Sequence, residues 1–166
     1  MDANLMHISY EAGILEDPNV TPPDRMWLMT TDPIKAPDQP DIVTISFESG
    51  LPTCVTHDHT QLTNPLEIYS FLNKIAGVHG VGRLDIVESR FVGMKSRGCY
   101  ETPAGTVLLA AHRDLEGITT DREVLEMKSF MSKRFSTQVY NGLWFRLGLL
   151  PFVAVTFLVI LDHLTW

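Results

Sequence analysis

The sequence lacks several features that would assign a protein class at once. Only two cysteines occur, Cys54 and Cys99, which are too few for a disulfide framework and favour free thiols in a reducing cytosol. Positive charge is not in excess, because the formal net charge is -7, and this argues against non-specific binding to nucleic acid or anionic lipid. The first residues have neither a basic nor an apolar region, so we expect no signal peptide and a cytoplasmic protein.

A long apolar run is also missing. The uncharged stretch 147–161 is shorter than the about 20 residues that a membrane-spanning helix needs, and membrane association through it stays open as the alternative to a cytoplasmic protein. What the sequence does contain is 166 residues that are 45% hydrophobic, which predicts a single domain with its own core. Residues 1–41 are rich in Pro, Asp and Asn, and we expect them to be irregular and to run over the surface.

Periodicity predicts the order of the elements after residue 41. Alternating apolar residues predict a strand over 43–48, a turn at Ser49 and Gly50, and a return strand that is an edge at Pro52. Asn64 then caps a helix. A further strand region follows at 82–92, and apolar spacing with a capping box at Thr120 predicts helices over 104–116 and 121–140. This order is typical of an α+β fold.

The stretch "RFVGMKSRGCYETPAG" at 90–105 is the best candidate for chemistry. Glycines allow a close approach of the backbone to a ligand, and Lys95 and Arg97 could hold an anion. Glu88 and Tyr100 flank the stretch and could bind an ammonium or a urea-like group, because a carboxylate accepts N–H bonds and a phenol both accepts and donates. The pattern fits a small zwitterion such as an amino acid. A solvated basic turn between strands stays open as the alternative.

Other polar patterns point to structure rather than to chemistry. The glycines of "GVHGVGR" do not match a dinucleotide-binding fingerprint, and we interpret them as helix-stop and turn residues. His57 and His59 could share a metal, but a polar loop is the favoured interpretation, since no further ligand follows at a suitable spacing. Ser9 lacks a nucleophile context and is a ligand-binding or capping hydroxyl. We therefore predict neither a metal site nor a catalytic residue.

Several long stretches, in order, resemble the argininosuccinate synthase family: "NLMHISYEAGILE", "HGVGRLDIVESRFVGMKSRGCYETPAGT", "DREV" and "VYNGLWF". The resemblance covers about residues 1–145. It implies the family's C-terminal synthetase domain, a mostly antiparallel sheet packed with helices. It also implies the family reaction, in which ATP with Mg²⁺ activates citrulline, aspartate displaces AMP, and pyrophosphate is released.

The resemblance also assigns residues. The family holds citrulline partly through residues that match Ser9, Glu88 and Tyr100, all of the expected type here. Lys95, Ser96 and Arg97 would form a supporting loop. Another serine of the family set would stand just before Met1 and is not in this sequence.

Two departures from the family limit the prediction. The "SGGLDTS"-like phosphate loop of the N-terminal domain, which holds ATP and aspartate, does not occur, so we expect no ATP binding by this chain alone. Either a complete enzyme has been cut by gene modelling, or the chain is an inactive relic or an interaction module that docks to full-length synthase.

Residues 146–166 do not resemble the family's oligomerisation arm, which leaves open whether the family homotetramer forms. This tail could be a translated intron or shifted frame, a membrane anchor or a core helix. We expect a non-homologous tail, helical from about Pro151, whose deletion improves solubility.

Overall fold

The computed structural model describes residues 1–143, in two compact units. The first unit comprises residues 1–45 and 54–110, and the second comprises 46–53 and the chain from 111 onwards. The described strand pairs are antiparallel. Together with the helices they confirm the predicted α+β class. The described chain forms the following elements in order: β1 Asp2–Ala3, β2 Ile8–Glu11, β3 Thr44–Glu48, β4 Leu51–His57, β5 Thr60–Leu62, α1 Pro65–Val78, β6 Arg83–Ser89, β7 Lys95–Glu101, α2 Pro103–Thr119 and α3 Arg122–Tyr140.

The four-stranded sheet of the first unit has the order β1-β2-β7-β6. Successive side chains of a strand point to opposite faces, and one face of this sheet is closed by a core cluster. Ile8, Tyr10 and Cys99 are buried there with Leu15, and partly buried side chains of the segment 26–29 pack against them. The opposite face carries Ser9 and Tyr100, and it is this face that the candidate site occupies.

The prediction that residues 1–41 are irregular is wrong for β2, which lies in the middle of this sheet. The strand has only four residues, so the alternation of Ile8 and Tyr10 is too short to register as a periodic pattern. Its pairing partner β7 is about ninety residues away in the chain. The rest of the segment contains short 3-10 turns at Gly13–Glu16, Asp24–Met26 and Pro33–Lys35.

Helix α1 confirms the start that the sequence predicts. The side chain of Asn64 accepts hydrogen bonds from the backbone N–H groups of Leu66, at 2.9 Å, and Glu67, at 3.3 Å. Pro65 occupies the first helical position. The buried face of the helix contributes to a second core cluster, formed by Val55, Ile68, Leu72 and Ala104.

The turn between β3 and β4 also confirms its prediction. Ser49 and Gly50 have φ angles of 48° and 74°, as a two-residue turn with two left-handed residues requires. Strand β4 lies between β3 and β5, but its ladder to β5 covers only Val55–His57. Pro52 therefore stands beyond that ladder, where its missing N–H is tolerated.

The described part of the second unit contains a buried carboxylate. Glu116 of α2 forms an ion pair with Lys128 of α3, and its carboxylate lies 3.3 Å from the ring Nδ1 of His112. The ring of His112 also packs edge-on against Phe47, so this histidine has a structural role. The predicted capping box of α3 does not form, because Asp121 rather than Thr120 is the N-cap and its side chain makes no capping bond.

The predicted tail 146–166, with its helix from Pro151, lies outside the described residues. None of the helices that the structure describes is long and apolar enough to cross a membrane. The effect of deleting the tail on solubility stays a prediction.

Backbone strain at Ala12 leads to a first testable prediction. Ala12 has φ 65° and ψ -174°, a combination that is essentially confined to glycine. Replacement by glycine should raise the free energy of unfolding by about 1 kcal/mol, measured in urea, because relief of strain exceeds the added entropy of the unfolded chain. The matched control Ala36→Gly changes a residue with φ -65° and should lower stability instead. A loss of stability in both variants would contradict the assignment of strain to Ala12.

Candidate functional site

The register of the first unit's sheet brings the predicted ligand residues to one face. Ser9 of β2 lies directly opposite Tyr100 of β7, and Tyr100 in turn lies opposite Leu84 of β6. Directly opposed residues of an antiparallel pair share a face, so the side chains of Ser9 and Tyr100 are neighbours. Glu88 lies farther along β6, opposite Ser96, on the same face as Leu84.

Glu88 and Tyr100 are joined by a hydrogen bond. The phenol Oη of Tyr100 donates to Oε1 of Glu88, and both side chains are half-buried. Burial raises the pKa of Tyr100 to about 12, and the bond to Glu88 adds to this effect. The phenol is therefore protonated at neutral pH and holds the carboxylate in one orientation. The second carboxylate oxygen of Glu88 can accept an N–H group from a ligand.

Two further charged residues of this face were missed by sequence reasoning. The guanidinium Nη2 of Arg90 lies 2.5 Å from Oε2 of Glu11, and it is 3.5 Å from Oγ of Ser96. The hydrogen bond and the charge of Arg90 lower the pKa of the Glu11 carboxyl. The sequence did contain a signal for these two residues. Glu11 follows Ser9 by two residues and Arg90 follows Glu88 by two, and residues two apart on a strand share a face. This signal could be used only once β2 was known to be a strand.

The assignment of Lys95, Ser96 and Arg97 to a loop is wrong, since all three belong to strand β7. Pairing with β6 outweighs their polar composition, and the loop is confined to the residues between the two strands. Ser96 shares the face of Tyr100, whereas Lys95 and Arg97 alternate to the opposite face. Whether any of them supports a ligand stays a prediction.

Arg97 has a structural task on that opposite face. Its Nε and Nη2 donate to the two carboxylate oxygens of Asp85, each at 2.8 Å. Its Nη1 donates to the backbone carbonyls of Asp17, at 3.0 Å, and Val20, at 2.8 Å. The planar fork of arginine suits such a bidentate contact, which here ties the segment 17–20 to the sheet.

The histidine-rich stretch at the end of β4 contributes to a turn and to a hydrogen-bonded cluster. His57 and His79 both contact Asp41, through Nε2, at 2.9 and 2.7 Å. His59 follows Asp58, whose φ of 51° makes the turn into β5. Within residues 1–143, no group of three or more His, Cys, Asp or Glu side chains could hold a metal ion.

Comparison with a family profile gives a match over most of the chain. Residues 1–151 match the profile described as "Arginosuccinate synthase C-terminal domain". The match includes every residue of the site described above. It ends six residues beyond the predicted domain boundary at 145, and that boundary stays a prediction.

Curated relatives give the same result. The chain is similar to the argininosuccinate synthases of Xenopus laevis, with 54% identity, Sulfurimonas denitrificans, with 56%, and human, with 55%. Each of these alignments covers 87% of this chain but only 35–36% of the relative. The chain thus spans about a third of the length of the curated relatives it matches.

Proposed function

The chain belongs to the argininosuccinate synthase family, through the family's C-terminal domain, and from this premise we propose that it forms the citrulline-binding part of an ATP-dependent ligase. In the proposed reaction, citrulline and aspartate are joined to give argininosuccinate, with AMP and pyrophosphate as the other products. The observation that carries the proposal is the Glu88–Tyr100 pair, placed beside Ser9 on one open face of the sheet.

The chemistry of these groups suits a ligand that has a ureido group and an amino-acid head. Glu88 is a carboxylate acceptor and can bind the N–H groups of a ureido or an ammonium group. Ser9 adds a hydroxyl that both donates and accepts. The fixed orientation of Glu88 reduces the ordering cost of binding, since the Tyr100 phenol already restrains that side chain.

ATP and its Mg²⁺ do not fit the residues of this chain. The sequence contains no glycine-rich phosphate loop that ends in Lys-Ser or Lys-Thr, and none of the "SGGLDTS" type. The proposal therefore places ATP, Mg²⁺ and aspartate on the family's nucleotide-binding domain. It assigns to this chain only the binding and orientation of citrulline.

A titration of citrulline into the purified chain tests the proposal. Part of the pocket is contributed by the nucleotide-binding domain in this proposal, so we expect a Kd of about 1 mM, or about -4 kcal/mol. Perturbed amide resonances should cluster at Ser9, Glu88 and Tyr100 in heteronuclear NMR spectra. Glu88→Gln should abolish these perturbations.

The exposed Glu16 supplies a matched control. Glu16→Gln removes a charge from the same unit but leaves Ser9, Glu88 and Tyr100 unchanged, and the perturbations should persist in that variant. Perturbations that survive in Glu88→Gln, or that map away from the sheet, would contradict the site. Sub-micromolar binding would show that this half of the pocket suffices alone. Docking to a full-length synthase without citrulline binding would favour the interaction module.

A further inference from the structure

The Glu88–Tyr100 bond spans a long distance along the sheet. Tyr100 lies opposite Leu84, whereas Glu88 lies opposite Ser96, four residues farther along β6. At about 3.3 Å per residue, the two rows are roughly 13 Å apart. A tyrosine that stood upright from its own row would not reach the carboxylate. The ring must therefore lie along its own strand, above the residue between Tyr100 and Ser96 on that face.

That residue is Gly98. A Cβ atom built on Gly98 would lie 2.7 Å from Oη of Tyr100 and 2.9 Å from both Cε2 and Cζ of its ring. Such separations are shorter than real Cβ contacts. Gly98 is buried, and it is not among the glycines with positive φ, so its backbone conformation would accept a side chain. The space under the ring, and not backbone freedom, is what requires glycine here.

We propose that Gly98 is the positioning residue of the site: it lets the Tyr100 ring lie flat on β7 and thereby fixes the Glu88 carboxylate for its ligand. The assignment of citrulline as that ligand rests on the proposed function. The steric argument for Gly98 does not depend on it. Any side chain at this position lifts the ring from the strand, which breaks the bond to Glu88 and leaves the carboxylate free to rotate.

The test uses the full chain with tyrosine labelled at Cζ with carbon-13. In Gly98→Ala, the Tyr100 resonance, assigned by its loss in Tyr100→Phe, should move to its position in Glu88→Ala, because both changes remove the same bond. The citrulline Kd should rise about tenfold, which corresponds to about 1.4 kcal/mol. Gly117→Ala is the matched control, since a Cβ at Gly117 meets nothing within 4 Å. It should change neither quantity.

Stability measurements keep the test decisive if Gly98→Ala folds poorly. In a Tyr100→Ala background the obstructing ring is gone, so the same substitution should lose most of its effect on the urea midpoint. An equal loss in both backgrounds would overturn the proposal, because the overlap would then lie elsewhere. An unchanged Tyr100 resonance in Gly98→Ala would overturn it too, even if citrulline binds normally. A shifted resonance without citrulline binding to the wild-type chain would sustain Gly98 and refute the proposed ligand.

Discussion

Replacing Glu101 by glutamine is expected to lower the free energy of unfolding by about 3 kcal/mol, because it breaks a buried, charged hydrogen-bond cluster. The carboxylate is fully buried. Its Oε2 accepts from the Tyr10 phenol, at 2.7 Å, and from the backbone N–H of Leu28, at 2.9 Å. Its Oε1 accepts from the backbone N–H groups of Met29 and Thr30 and from the Thr30 hydroxyl, at 2.6–3.0 Å.

Glutamine has about the same volume as glutamate, but its amide cannot accept hydrogen bonds at both terminal atoms as the surrounding donors require. Either orientation of its amide turns an NH₂ group toward N–H or O–H donors, so at least two of them lose their acceptor. The segment 28–30 should then detach from the sheet, and hydrogen exchange of its amides should accelerate. Glu16→Gln, at an exposed position, is the control, and its free energy of unfolding should lie within about 0.5 kcal/mol of the wild-type value. Unchanged protection of 28–30 in Glu101→Gln would contradict this account.

The pH dependence of stability gives the same prediction a second readout. Burial alone would raise the pKa of Glu101, but the hydrogen bonds from Thr30, Tyr10 and the backbone hold it below its usual range. A carboxyl with a lowered folded-state pKa stabilises the fold above its unfolded pKa of about 4.3 and loses that contribution as the pH falls through the folded-state pKa. The stability difference between wild type and Glu101→Gln should therefore shrink in acid.

Gly77→Ala is the second substitution with a large expected effect. Gly77 is the last residue but one of α1, and of the two glycines predicted to end the helix it is Gly80, with φ 70°, that follows the C-cap His79. A Cβ added there would overlap the backbone carbonyl of Met29, and the Thr31 N–H donates to the Gly77 carbonyl at 2.8 Å. A backbone carbonyl cannot rotate away from the added methyl group, as the end of a flexible side chain could. We expect a loss of about 2–3 kcal/mol, measured by urea unfolding.

A helical glycine with free space gives the matched comparison. A methyl group at Gly117 of α2 would meet nothing within 4 Å, and alanine is the better helix former by about 1 kcal/mol. Gly117→Ala should therefore leave stability unchanged or raise it. If Gly77→Ala behaves in the same way, the segment 29–31 does not press on α1 as described.

Local chemistry explains what could be predicted from sequence. The cap at Asn64 and the turn at Ser49 and Gly50 depend on residues within a few positions of each other, and both are confirmed. The family resemblance, carried by long stretches, is confirmed as well. Strand β2 was missed because its stability comes from a partner far along the chain and not from its own four residues.

The same contrast between local and long-range determinants applies to the candidate site. Glu88 and Tyr100 attract notice as residue types, but their bond depends on the register of β6 against β7, which no local pattern states. The role of Gly98 could not be predicted from sequence either, because it too depends on the register of the strands. A glycine in a polar stretch suggests a turn, whereas Gly98 lies in strand β7 and is kept small by the ring of Tyr100.

The register of strand β7 meets two requirements at once, one on each face of the sheet. Tyr100 faces the open side of the sheet and the adjacent Glu101 faces the core. A slip of β7 by one residue would exchange them, exposing the carboxylate and driving the phenol of the site into the core in its place. The hydrogen-bond donors of segment 28–30 need the Glu101 carboxylate, so a misaligned β7 would leave them unpaired in the core. Correct folding of the core therefore also places Tyr100 and its partner Glu88 in register on the opposite face.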